Sequence, residues 1–220
     1  MFLIDKPPGW TSFDVVNKLR WHIRKKLGVK KFKVGHAGTL DPMATGLLNL
    51  CVGKWTKRLQ ELEGLDKTYT GTIRLGASTP SYDAETEIDE TFPTDHLSLD
   101  RLREASTQFT GAIDQVPPVF SAIKVDGQPL YKRARRGEKV AVKSRPVRVD
   151  RFELSNFTGT SVDFTISCSK GTYIRSLAHD LGRSVGSGGY LTALRRTAVG
   201  PYRVEDAWEL ETLLKSVDAH

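Results

Sequence analysis

The stretch Gly35-His36-Ala37-Gly38-Thr39-Leu40-Asp41-Pro42-Met43-Ala44-Thr45-Gly46 decides how the first part of this 220-residue chain is read. It sets one carboxylate and one imidazole among glycines, next to a strongly basic segment. Glycines around His36 let the main chain turn sharply or lie against a ligand where a Cβ would clash. Asp41 supports two readings. On a glycine-rich loop it is a candidate catalytic acid. Standing before Pro42 it is also a good helix N-cap followed by a good first helical residue, and Ala44 to Val52 would then continue as helix. The two readings can coexist.

Charge around this loop is uneven. The net charge is +7, but Lys18, Arg20, Arg24, Lys25, Lys26, Lys30, Lys31 and Lys33 follow one another with no acid between them. A second basic block runs from Lys132 to Arg151, and the segment between, Asp83 to Asp114, is mainly acidic. A single basic run is often only solvated surface. Two blocks separated by an acidic one favour a directional field able to hold phosphates. The longest uncharged apolar run, Pro42 to Gly53, falls short of the roughly 18 residues that a membrane span needs. The amino terminus lacks the pattern of a secretory signal, so the chain reads as cytoplasmic. Cys51 and Cys168 stand far apart in sequence and read as reduced core residues.

Ser12 is placed to cap a helix whose apolar positions Val15, Val16, Leu19, Ile23 and Leu27 recur at helical spacing, with Gly28 suited to its end. Lys67 to Leu75 alternates as a half-buried strand, with Tyr69, Gly71, Ile73 and Leu75 on one side. Asp95 to Phe109 reads as a helix, Ser121 to Val125 as a strand entering a turn at Asp126-Gly127, and Leu130 to Arg136 as a short basic helix. Val147 to Phe157 and Ser161 to Ser169 read as consecutive strands. Thr172 is placed to cap a helix from Tyr173 to about Leu181, followed by short helices at Tyr190 to Arg195 and Ala207 to Lys215. Strands and helices mix without strict alternation, which predicts an α+β fold with a mixed sheet.

No metal-ligand spacing, phosphate-cradling loop or dinucleotide fingerprint is present, so the expected chemistry uses neither metal nor cofactor. Asp41, Tyr69, Tyr173 and Arg175 are each weak candidates alone: a strand tyrosine is more often core, and an arginine more often solvated. Their joint pattern resembles the TruB-type tRNA pseudouridine synthases. The resemblance rests on Asp5-Lys6-Pro7-Pro8-Gly9-Trp10-Thr11-Ser12, on Gly35 to Leu48, and on Lys67-Thr68-Tyr69. It continues through Ser121 to Gly127 with Leu130-Tyr131, Cys168 to Arg175, and Leu194-Arg195-Arg196.

That resemblance implies a pseudouridine synthase fold: a mixed, largely antiparallel sheet with flanking helices and a central active-site cleft. It implies isomerisation of uridine 55 in the tRNA T loop by base flipping. By position, Asp41 matches the catalytic aspartate, His36 the histidine that meets the substrate loop, and Tyr69 the tyrosine that stacks on the target base. Tyr173 and Leu194 match residues lining the uridine pocket, Arg175 matches the arginine paired with the aspartate, and Lys6 supports the loop. The expected partner is the tRNA T stem-loop, with no membrane and no metal, and the protein is expected to be a monomer. The chain reads as one catalytic domain over 1–220 with a short terminal helix at about 206–216, without the separate carboxy-terminal RNA-binding module of many relatives. One departure is local: where the family has Asp-x-x-Gly, Asp83 is kept and the glycine is missing. The competing reading is an RNA-binding or tRNA-folding protein that keeps the scaffold without catalysis.

Overall fold

The computed structural model describes residues 1–121, 123–125, 128–130, 136 and 142–219. They form two compact units, Met1–Thr70 with Leu194–His220, and Gly71–Ala193. The expected turn at Asp126-Gly127 and the interior of the basic helix from Leu130 to Arg136 lie outside the described residues.

In the first unit, helix α1 (Ser12–Leu27) starts one residue away from the expected arrangement. Thr11 is the cap: its Oγ1 accepts from Asp14 N at 3.0 Å while the Asp14 carboxylate accepts from Thr11 N at 2.9 Å. This reciprocal arrangement satisfies two otherwise orphaned donors. Ser12 is instead buried, and its hydroxyl accepts from Leu40 N at 2.8 Å. Gly28 closes the helix in the left-handed region, as expected. Val15, Val16, Leu19 and Ile23 pack on Ile4, Leu48 and Leu50, whereas Leu27, past the packed face, is exposed.

Strand β1 (Phe2–Lys6) precedes α1, and β2 (Val34–Ala37) and β3 (Thr45–Val52) follow it. The helix expected over Ala44 to Val52 is therefore a strand. β3 pairs antiparallel with β1 and β2 and parallel, at its start, with the segment around Arg195. Covered on both faces, Leu47 to Cys51 is buried without alternation, so its periodicity carries no signal that separates strand from helix. Gly46, at φ +100°, is required here because a Cβ would lie 2.3 Å from the Arg196 carbonyl oxygen.

The second unit is built on β4 (Lys67–Leu75), which begins in the first. Tyr69, Ile73 and Leu75 are buried as the alternation predicts. After the short β5 (Ala77–Ser78) and β6 (Glu90–Thr91), helix α3 (Leu99–Ser106) is capped by Ser98 and occupies the middle of the expected Asp95 to Phe109 segment; α2 (Leu59–Gly64) belongs to the first unit. Strand β7 (Gly111–Gln115) and the two-residue β8 (Lys124–Val125) and β9 (Gln128–Pro129) lead to β10 (Arg145–Ser155) and β11 (Ser161–Cys168). The sheet order here is β4-β11-β10-β7. A register shift between Val149 and Arg151 moves the buried set of β10 from Val147 and Val149 to Phe152 and Leu154, as a bulge does. Helix α4 (Ile174–Ser184) buries Ile174, Leu177, Ala178 and Leu181.

Strand β12 (Gly189–Val199) replaces the helix expected at Tyr190 to Arg195 and returns the chain to the first unit. Leu194, Arg196 and Ala198 alternate inward; an arginine in the buried series conceals the period of two. The hairpin partner β13 (Tyr202–Arg203) and β14 (Trp208–Glu209), parallel to β1, precede α5 (Leu210–Ala219). The expected last helix thus starts three residues later, because Trp208 and Glu209 pair with Ile4 and Asp5. The first unit's sheet order is β14-β1-β3-β12. Both cysteines are buried and free. Among the described residues no helix is long and apolar enough to cross a membrane.

Candidate active site

Asp41 lies half-buried on the loop between β2 and β3. It caps no helix: Ala44 N donates to its carbonyl at 3.1 Å, closing a tight turn that delivers the chain into β3. Three anchors brace this loop. Ser12 holds Leu40 from the start of α1. Gly9 N donates to the Pro42 carbonyl at 2.8 Å. The fully buried Lys6 sends its ammonium to the carbonyls of Trp10, Pro7 and Pro42 at 2.6, 2.9 and 3.3 Å. Burial pulls the Lys6 pKa down to about 8, with Arg196 acting in the same direction and Asp41 opposing it. Lys6 is thus a cation that ties the opening motif to the aspartate loop through their backbones.

The motifs do not single out Arg196 as a site residue, yet it is buried and donates to Leu47 O at 2.7 Å and Gly38 O at 3.0 Å. It therefore grips both ends of the Asp41 loop. Its neighbour Arg195 makes a two-pronged pair with Asp5 at 2.6 and 3.0 Å. His36, on β2, has its pKa lowered by burial and then by Arg196, which favours the neutral ring. Tyr69 on β4 and Leu194 on β12 are both buried.

In the second unit Tyr173 stands at the start of α4, with the Arg145 guanidinium 5.7 Å from its ring centroid. Gln115 grips its backbone in both directions, accepting from Tyr173 N at 2.8 Å and donating to Tyr173 O at 3.0 Å. Thr172, expected as the cap, donates its hydroxyl to Ser169 O instead. Arg175 is buried in the first turn of α4, where it donates to Ser81 O at 3.0 Å and Phe120 O at 2.9 Å and lies 3.4 Å from the Asp83 carboxylate. Asp83, fully buried, also accepts from Ser81 Oγ at 2.5 Å and Glu85 N at 3.0 Å. The loop that lacks the family's glycine is held by these bonds.

A groove of about 470 Å³ in the first unit is lined by Arg20, Arg24, Lys30, Lys31, Phe32 and Lys33 and reaches Gly35, the residue before His36. None of its five cations is paired with a carboxylate among the described residues. Arg20 is fixed by Asn17 Oδ1 and Val34 O, which leaves a preset positive wall. Among the described residues no cluster of three or more potential metal ligands occurs.

A braced acid-bearing loop on a mixed, mostly antiparallel sheet with flanking helices defines the class expected from the motifs, a pseudouridine synthase domain. The sequence model of the TruB family pseudouridylate synthase N-terminal domain matches residues 24–174, and that of the tRNA pseudouridylate synthase B C-terminal domain matches 175–220. The tRNA pseudouridine synthase B of Flavobacterium johnsoniae is 53% identical over 99% of this chain and 95% of its own length. That of Phocaeicola vulgatus is 51% identical over 97% and 91%. One chain in a solved structure of a Cbf5-Nop10-Gar1 complex matches with a TM-score of 0.71 and 31% identity, over 97% of this chain and 53% of that one, so this chain spans about half the length of the matched chain. The chain belongs to the TruB family of pseudouridylate synthases.

Proposed function

We infer that this chain is a tRNA pseudouridine synthase that converts uridine 55 of the T loop to pseudouridine, with Asp41 as the catalytic residue. The observation that carries the assignment is the bracing of the Asp41 loop by Lys6, Ser12 and Arg196. It holds a half-buried carboxylate still on a loop that caps no helix. The near full-length relatives named tRNA pseudouridine synthase B support the substrate.

The reaction breaks the N1 to C1′ bond, turns the uracil, and joins C5 to C1′; C5 gives up its proton and N1 gains one. Atoms and electrons balance within the nucleotide, so the step calls for no external oxidant or reductant. A carboxylate serves such a sequence by covalent attack or by moving a proton. The target base must leave its stack, at a cost of a few kcal/mol. Stacking on an aromatic ring returns roughly 1–3 kcal/mol per base, the part assigned to Tyr69. His36 meets the RNA loop, Leu194 and Tyr173 contact the uridine, and Arg175 supports the reaction as a fixed guanidinium. The basic groove ending at Gly35 takes phosphates. The enzyme is proposed to act in the cytoplasm as a monomer, with residues 1–220 as its catalytic domain.

The test is release of tritium from C5 of labelled uridine in unmodified tRNA. The parent should release it and Asp41→Asn should not. Release at the parental rate from the Asn variant would remove Asp41 from the mechanism. Release from tRNA carrying cytidine at position 55 would remove the position, and none from the parent on intact tRNA would sink the reading.

A further inference from the structure

Arg175 and His179 stand four residues apart on α4, so their side chains lie one turn apart on the same helix face. A single short loop reaches both. Ser81 gives its carbonyl oxygen to Arg175 at 3.0 Å, and Asp83 sets its carboxylate 3.4 Å from the same guanidinium. Between them, Tyr82 lays its ring on His179, with centroids 3.8 Å apart and planes 15° from parallel. Three consecutive residues thus engage two positions of one helix, the outer two at Arg175 and the central one at His179.

The backbone pays for this arrangement. Tyr82 sits at φ 62°, one of two non-glycine residues with positive φ among those described. A bulky side chain in that region is a strained outlier that persists only when its surroundings over-determine it. Here Tyr82 N donates to Thr79 O at 3.1 Å and Tyr82 O accepts from Leu191 N at 3.0 Å, so both its backbone groups are used. His179 contributes a flat, uncharged surface: burial pushes its pKa down to about 4. Its Nδ1 is buried with no hydrogen-bond partner among the described residues, so stacking, not hydrogen bonding at that nitrogen, accounts for its place.

We propose that the Tyr82 and His179 stack is a positioning device that locks the Ser81 to Asp83 loop onto α4 and so fixes the direction of the Arg175 guanidinium. Without the stacked rings, the loop keeps its local hydrogen bonds but loses its second attachment to the helix, and Arg175 is held by partners free to shift. The proposal rests on the assignment of a supporting role to Arg175, and adds Tyr82 and His179 as residues that act through it without touching the substrate.

Tyr82→Gly tests this cleanly, because glycine accepts the positive φ and only the ring is lost. Steady-state kinetics on unmodified tRNA should show kcat reduced by about ten- to a hundred-fold, the scale of a small misplacement of a catalytic group, with KM within about two-fold of the parent. His179→Ala should reproduce the loss. Tyr82→Phe and His179→Phe, which keep a ring on each side, should restore most of kcat. Parental kcat in Tyr82→Gly, or an equal loss in Tyr82→Phe, overturns the proposal. A rise in KM at unchanged kcat also overturns it, since the pair would then serve RNA binding. If Tyr82→Gly does not fold, His179→Ala against His179→Phe carries the same decision. Asp41→Asn, run alongside, separates the two levels: activity in that variant defeats the functional reading, whereas its inactivity with an unaltered Tyr82→Gly defeats only the stack.

Discussion

Two loops each carry an aspartate and each are held by a buried cation, and they are held differently. Lys6 ties the Asp41 loop to the opening motif through backbone carbonyls, at Pro42 on the loop and at Pro7 and Trp10 in the motif. Arg175 donates to the Ser81 carbonyl of the other loop and in addition faces its side chain, the Asp83 carboxylate, which accepts from Ser81 and Glu85. Asp83 has no exposed surface, whereas Asp41 is half-buried. Asp83 accepts the bonds from Ser81 and Glu85 on Oδ1, and its buried Oδ2, the oxygen 3.4 Å from the Arg175 guanidinium, has no hydrogen-bond partner among the described residues. The family resemblance implies the catalytic role for Asp41, and the two acids also differ in burial.

The largest effect that would break the contrast lies at Asp41. Asp41→Asn should lower kcat by about a thousand-fold or more, the scale of removing a nucleophile or general base, while thermal denaturation stays close to the parent because asparagine keeps the size and shape of the side chain. Asp83→Ala should do the reverse first. Removing one partner of a buried ion pair costs about 3–5 kcal/mol, so its melting temperature should drop clearly. An unchanged melting temperature would make Asp83 no more structural than Asp41.

A smaller effect sharpens the account of Lys6. Its folded pKa of about 8 lies below the ordinary 10.5, so between those values the unfolded chain binds more protons than the folded one. Stability therefore rises with pH across that window, by at most about 1.4 kcal/mol per unit. Urea unfolding of the parent and Lys6→Met from pH 7.5 to 10.5 should show the parent gaining on the variant; a constant gap would mean that burial does not penalise the ammonium. The smallest effect is expected in the groove. Replacing Lys30, Lys31 and Lys33 with Gln should raise KM several-fold and flatten the salt dependence of RNA binding, by about 0.9 in log–log slope for each phosphate that is no longer neutralised. An unchanged slope would remove the groove from the RNA path.

Much of this is legible without coordinates. The period of α1 over Val15 to Ile23, the alternation of β4 and β11, and the ordered motifs are local patterns with local causes. The two departures among the strands have separate causes. Ala44 to Val52 and Tyr190 to Arg195 are expected as helix and are strands, since one is covered on both faces and the other buries Arg196 in its series. The Asp83 loop poses a different problem: its missing glycine leaves the geometry open, and the bonds from Ser81, Glu85 and Arg175 span up to 94 residues.

Residue order by itself determined the class of fold, the family and the candidate catalytic acid, because helix periodicity, strand alternation and motif spacing are written in neighbouring positions. Tertiary structure alone decided that Asp41 caps nothing, that Lys6 and Arg196 brace its loop, and that Tyr82 rests on His179. Those outcomes depend on which distant carbonyls, carboxylates and rings meet away from water, where most buried polar groups find a partner and no local pattern names it.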